Sequence, residues 1–138
     1  MPDEIKKISD AEWRVMQPIW ERSPRSTGEL IQALAEANEW NPNTIKTLLS
    51  RLVKKDILGY TKKGNHHEYH PLVSRDDCIT VEANSFLKRV FGGALEPMFT
   101  HFVEHEELTG KQIEHLQVLL EEKEKALKGG EQNPGGTG

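Results

Sequence analysis

The sequence contains a single cysteine, Cys78, among its 138 residues. One thiol excludes an internal disulfide and a cysteine-based metal cluster, and it is typical of a protein kept in a reducing compartment. No apolar run approaches the ~20 residues that a membrane span requires. Residues 1–7 are polar and lack the apolar core of a signal peptide. We therefore expect a soluble cytoplasmic protein that does not bind membranes directly.

The sequence also lacks the common catalytic and cofactor motifs. It has no His-Glu-x-x-His segment, no glycine-rich phosphate loop and no convincing Ser-His-Asp set. His66, His67 and His70 lie close together, but in a hairpin the middle one would point away from the other two. His101 and His105 are one helical turn apart, and we expect them to be buried or interfacial. We predict no enzyme, no cofactor and no metal.

Charge is distributed unevenly along the chain, whose formal net charge is −4. Residues 1–73 carry eleven Lys and Arg against ten Asp and Glu, whereas residues 74–138 carry seven against twelve. Within residues 41–73 the balance is six against two. Cationic charge is thus concentrated in a short stretch that could face phosphates, while the acidic half would be repelled by them.

Helix-start signals recur in the first half of the chain. Capping boxes begin at Ser9 and at Ser26, because each serine is followed three residues later by a glutamate. Pro18 lies within the first predicted helix, where we expect a distortion or an early end. Asn41 followed by Pro42 predicts a third start, with a capping side chain and a proline in the first turn.

The third predicted helix has two distinct sides. Its apolar residues recur at the spacing of one helical face: Ile45, Leu48, Leu49, Leu52 and Val53. The opposite side carries hydrogen-bonding and cationic side chains: Asn43, Thr44, Lys46, Thr47, Ser50, Arg51 and Lys54. One side can therefore rest on the other helices while the other meets a polar partner.

The remaining segments predict a hairpin and three more helices. Residues 58–63 and 66–70 read as two strands joined by a turn at Gly64 and Asn65. Apolar stripes then indicate helices within residues 74–128, the last of them opened by a capping box at Thr109. Residues 129–138 are glycine-rich and read as a disordered tail, either native or a vector-encoded remnant.

This order predicts a mainly α fold with a small β-hairpin. Residues 1–73 form an N-terminal winged helix-turn-helix domain, and residues 74–128 form a C-terminal three-helix dimerisation domain. In such folds the third helix enters the ~12 Å major groove and the hairpin acts as a wing. We predict a DNA-binding set composed of Asn43, Thr44, Lys46, Thr47, Ser50, Arg51, Lys54, Lys62 and Lys63. A winged helix that serves as a protein-docking module is the alternative.

Three C-terminal helices, each apolar along one stripe, are too few to close a core of their own. We therefore expect them to bury that surface against a second copy of the chain. The predicted dimerisation residues are Phe86, Leu87, Phe91, Met98, Phe99, Phe102, Ile113, Leu116 and Leu120.

Two segments of the chain resemble the penicillinase repressor family, which includes repressors of β-lactamase and methicillin-resistance genes. They are residues 8–20, beginning Ile-Ser-Asp-Ala-Glu-Trp, and residues 44–55, Thr-Ile-Lys-Thr-Leu-Leu-Ser-Arg-Leu-Val-Lys-Lys. The resemblance implies a homodimer that represses transcription from dyad-symmetric operator DNA. It further implies that Asn43, Lys46 and Thr47 contact bases, while Thr44, Arg51 and the wing contact the backbone.

Residues 85–87, 91–93 and 101–108 are similar to the dimerisation region of the family's β-lactam-responsive branch. The resemblance implies a membrane-bound sensor-protease that cleaves an Asn-Phe bond there and so releases the repressor from DNA. The matching bond is His101-Phe102, which departs from the family pattern at its first residue. A different inducer is the alternative. The copper-responsive branch carries Cys-x-Cys motifs that this chain lacks.

Overall fold

The computed structural model describes residues 5–131, with side chains to residue 129. Its elements in chain order are α1 Asp10–Glu21, β1 Arg25–Ser26, α2 Thr27–Asn38, α3 Pro42–Lys54, β2 Leu58–Lys63, β3 His66–Pro71, α4 Arg75–Phe91, α5 Leu95–His105 and α6 Gly110–Glu131. In this part of the chain no helix combines the length and the hydropathy needed to cross a bilayer.

The predicted helix starts are confirmed. Ser9 and Ser26 each accept a hydrogen bond from the backbone N–H three residues ahead, and the glutamate there accepts one in return. Asn41 accepts from the N–H of Thr44 at 2.9 Å. Such caps satisfy backbone donors that the first helical turn leaves unpaired. α1 continues through Pro18 to Glu21, so the predicted early end is wrong.

The core lies between α1, α2, α3 and the sheet. Most of the α3 stripe is buried, and it packs with buried residues of α1 and α2, which are Val15, Met16, Ile19, Leu30 and Leu34. Ile57 and Leu58 close the core where α3 gives way to the hairpin. The predicted apolar side of α3 is therefore confirmed as the side that anchors the helix.

The sheet has three antiparallel strands in the order β1-β3-β2, one more than predicted. The two-residue β1 pairs Arg25 with Tyr69 and Ser26 with Glu68. The predicted hairpin is confirmed, with Lys63 opposite His66 and Gly64 at φ +60° in the connecting turn. Glycine suits that turn because residues with a side chain rarely adopt a positive φ.

The first compact unit spans Met1–Gly93, so it includes α4, which we predicted to belong to the second domain from residue 74. The start of α4 is tied to the core because the Trp20 indole donates to the Val73 carbonyl at 3.1 Å. Cys78 is buried in the same core. Burial, together with the Asp77 carboxylate, raises the pKa of Cys78 to about 11, which makes the thiol a poor nucleophile at neutral pH.

The second unit, Ala94–Gly138, contains α5 and α6. Among its described side chains none is buried, and large apolar residues stand exposed along both helices: Leu95, Phe99, Phe102, Val103, Ile113, Leu116, Val118, Leu119, Leu120 and Leu127. α6 runs to Glu131, three residues into the segment we predicted to be disordered. The rest of that predicted tail lies outside the described residues.

Candidate nucleic-acid interface

α2 and α3 form the helix-turn-helix. α2 ends at Asn38, and Glu39 adopts the left-handed conformation with φ 57°. Asn41 then caps α3, so residues 39–41 make the connecting turn. A turn of this length is typical of the helix-turn-helix motif. The core contacts of α2 with α3 thus fix which side of α3 faces outward.

The outward side of α3 is polar and cationic along its whole length. The seven residues predicted there are all exposed in the structure: Asn43, Thr44, Lys46, Thr47, Ser50, Arg51 and Lys54. α3 contains no acidic residue. Phosphates approaching this side would therefore meet three cations and no carboxylate of the helix itself.

Two threonines at the start of α3 are held by local hydrogen bonds. The Thr44 hydroxyl donates to the Asn41 side chain at 3.3 Å, and the Thr47 hydroxyl donates to the Asn43 carbonyl at 2.9 Å. Because its proton is already used, the Thr47 hydroxyl presents lone pairs and a methyl group. The lone pairs can accept a hydrogen bond from a base edge, and the methyl group can contact the methyl group of thymine.

A partly buried ion pair fixes the far end of α3. Lys55 Nζ lies 2.6 Å from Glu12 Oε1 and also donates to the Lys7 carbonyl at 2.8 Å. Glu12 is only 1% exposed. Burial raises its pKa, yet hydrogen bonds from Lys55 and Ser9 outweigh burial and leave the pKa lowered. The sequence did not predict this ion pair, because Glu12 was interpreted only as the capping-box residue of α1.

The hairpin tip carries the predicted wing cations. Lys62 and Lys63 are both exposed and lie opposite His67 and His66 in the sheet. Lys63 Nζ is 3.6 Å from Glu68 Oε1. Exposed pairs at this distance are weak, so a phosphate can compete with Glu68 for Lys63.

An aromatic stack on the hairpin was not predicted. Tyr60 and His67 stack with ring centroids 4.5 Å apart, and Tyr69 lies beyond at 6.0 Å from Tyr60. The alternation of residues along β2 and β3 could have placed these rings on one face. Cross-strand stacking of this kind stiffens the hairpin that carries the lysines.

The residues predicted for dimerisation are spread over both units. Phe86, Leu87 and Phe91 on α4 and Met98 on α5 are partly exposed. The others are exposed: Phe99, Phe102, Ile113, Leu116 and Leu120. The His101-Phe102 bond lies within α5, and Phe102 is 39% exposed.

Comparison with known proteins finds one family that matches most of the chain. The sequence model of the family described as "Penicillinase repressor" matches residues 8–122. The penicillinase repressor of Bacillus licheniformis is 42% identical over 118 residues, which are 86% of this chain and 92% of the relative. The methicillin resistance regulatory protein MecI of Staphylococcus aureus is 32% identical over 89% of this chain and 100% of its own length.

A solved structure matches the N-terminal part. The solution structure of the DNA binding domain of the repressor BlaI shares 42% identity, with a TM-score of 0.50. The match covers 53% of this chain and 89% of that domain. The winged-helix architecture predicted from the sequence is therefore confirmed.

Proposed function

The chain belongs to the penicillinase repressor family, and from this premise we propose that it represses transcription by binding dyad-symmetric operator DNA as a homodimer. The proposal depends on the two sides of α3. Its apolar stripe is buried, while its outward side is cationic and has no acidic residue. The relatives' names as repressors support a regulator rather than an enzyme. From the proposed DNA target we infer a cytoplasmic protein.

We assign the base-reading role to Asn43, Lys46 and Thr47, which lie at the N-terminal half of α3. Ser50, Arg51 and Lys54 follow toward its C-terminal end, and Lys62 and Lys63 lie at the wing. Cations at the edges of a groove-bound helix bind phosphates and fix its register, whereas short polar residues near its start can reach base edges.

Lys46→Ala is expected to weaken binding to the specific site by roughly 1–3 kcal/mol, since a base contact is lost. The specific site is the sequence that the wild-type protein selects from random DNA, and fluorescence anisotropy measures both affinities. Lys88→Ala, which removes an exposed lysine of α4, is the matched control and should bind as wild type. Equal losses on selected and random DNA from Lys46→Ala would refute the base-reading role.

Lys63→Ala should weaken binding to all DNA sequences alike. A wing contact to phosphate carries no sequence information, so the slope of log affinity against log salt should become shallower by about one. A salt titration on selected and random DNA measures that slope. An unchanged slope would contradict a wing contact, and the absence of any salt-sensitive binding by the wild type would favour a docking module.

We further propose that the operon is of the β-lactamase type and that a membrane-bound sensor-protease cleaves the His101-Phe102 bond. The exposed apolar stripe of α5 supports this, because a cut at residue 101 separates Phe99 from Phe102 and Val103. The cut would therefore divide the apolar surface of the proposed dimer between two fragments. Mass spectrometry after co-expression with the sensor should find an N-terminal fragment ending at His101; an intact chain argues for another inducer.

A further inference from the structure

His101 and His105 lie one helical turn apart on α5, with their rings in contact. Their ring centroids are 4.2 Å apart and the rings are inclined by only 21°, so the His101 ring must turn before both nitrogens can point at one ion. Both side chains are exposed. Because residues four apart lie above one another on a helix, the two imidazoles occupy one flank of α5.

The orientation of the His105 ring is fixed by a hydrogen bond. His105 Nδ1 lies 2.9 Å from the His101 carbonyl oxygen. A carbonyl oxygen only accepts, so Nδ1 must carry the hydrogen. In the neutral ring the lone pair is then on Nε2, which is the arrangement that metal-binding histidines commonly use.

We propose that His101 and His105 bind one borderline divalent transition-metal ion, such as Zn²⁺ or Ni²⁺, as a two-imidazole chelate. Imidazole nitrogen suits these metals, and two histidines four residues apart on a helix are the spacing by which helical zinc motifs present two ligands. No group of three or more acidic, cysteine or histidine ligands occurs among the described residues. The remaining coordination positions therefore belong to water, and the site is open and exchangeable.

The wing histidines do not offer an equivalent site. His66 and His70 lie four residues apart along β3, so their backbones are roughly 13 Å apart at the rise of a strand. His67 stacks on Tyr60 instead. Two histidines four residues apart lie close together on a helix, whereas the same separation in sequence holds them apart on a strand.

Helical spacing places the two histidines at the edge of the apolar stripe of α5, next to Met98. They do not lie between Phe99 and Val103. Metal binding there does not depend on the proposed DNA-binding role. Because the ion would join successive turns, it would bind helical α5 better than unfolded α5 and stabilise the helix by mass action.

The test is isothermal titration calorimetry of the full chain, prepared without a polyhistidine tag, with ZnCl₂ and with NiCl₂. We expect one ion per chain with a dissociation constant below about 1 mM. His101→Gln and His105→Gln should each weaken binding at least about tenfold, the step that corresponds to 1.4 kcal/mol. His115→Gln and His67→Gln are the matched controls and should bind as wild type.

Two further measurements keep the outcome unambiguous. Circular dichroism establishes that each glutamine variant keeps its helical content, which glutamine should permit as a good helix former. Histidine ring NMR should show metal-dependent shifts of His101 and His105 only. Absence of saturable binding by the wild type, or binding that survives both substitutions, would overturn the proposal.

Discussion

Phe99→Asp is expected to give a folded monomer that has lost most of its affinity for operator DNA. Phe99 is 50% exposed in the single chain, so the substitution leaves the core of the first unit untouched. In the proposed dimer the same position would hold a carboxylate against apolar helices. A buried, unpaired charge costs more than the lost phenyl contact alone.

The expected loss is roughly 2–4 kcal/mol of dimerisation free energy, the range of a central interface residue. This corresponds to about a 30- to 700-fold higher dissociation constant. Sedimentation velocity at micromolar concentration measures the oligomeric state, and anisotropy measures operator binding. Thr100→Asp places the same charge on the neighbouring exposed residue and should remain a dimer. A Phe99→Asp protein that still sediments as a dimer would remove α5 from the proposed interface.

Lys55→Met is expected to destabilise the first unit by about 2 kcal/mol, less than breaking a fully buried ion pair costs, because Lys55 is 29% exposed. The substitution leaves the Glu12 carboxylate, which is 1% exposed, without its cation. The backbone N–H of Ser9 still donates to that carboxylate at 2.8 Å, which limits the loss. Chemical denaturation of full-length protein measures the free energy of unfolding.

Two comparisons separate the ion pair from other effects of the substitution. Lys54→Met changes the adjacent exposed lysine and should alter stability by no more than about 0.5 kcal/mol. Adding Glu12→Gln to Lys55→Met should recover much of the loss, because the unpaired charge is then gone. If the double variant is as unstable as the single one, packing of the lysine stem, rather than charge, is the cause.

The pH dependence of the same variant has a defined sign. The lowered pKa of Glu12 in the folded protein contributes stability above its ordinary value of 4.5, and the contribution is lost as pH falls through the lowered pKa. Without Lys55, two of the causes that lower this pKa are lost, so the pKa of Glu12 is higher in the variant than in the wild type. The gap in unfolding free energy between wild type and Lys55→Met should therefore shrink between pH 7 and about pH 4 as Glu12 takes up a proton.

Local patterns were enough to predict the two sides of α3. The spacing of Ile45, Leu48, Leu49 and Leu52 determined which side of α3 is buried, and Asn41 marked where the helix begins. Both signals lie within a few residues of one another, so they require no knowledge of tertiary contacts. The outward side followed as the remainder of the same helix.

The features that were missed depend on residues distant in sequence. β1 exists because Arg25 and Ser26 reach Tyr69 and Glu68, and no local pattern marks a two-residue strand. Lys55 meets Glu12 from 43 positions away. The apolar stripe of α4 indicated a helix of the second domain, yet Cys78 near the start of α4 is buried in the N-terminal core. Each outcome was decided by tertiary packing rather than by propensity.

The central claim is that two copies of α3 enter successive major grooves, spaced by pairing of the chains. Dimethyl sulfate protection on DNA selected from a random pool tests this directly, since the reagent methylates guanine N7 in the major groove. We expect two protected patches on one side of the duplex, related by a dyad and separated by whole turns of about 10–10.5 base pairs. A single patch, or none while the protein is bound, would contradict the account.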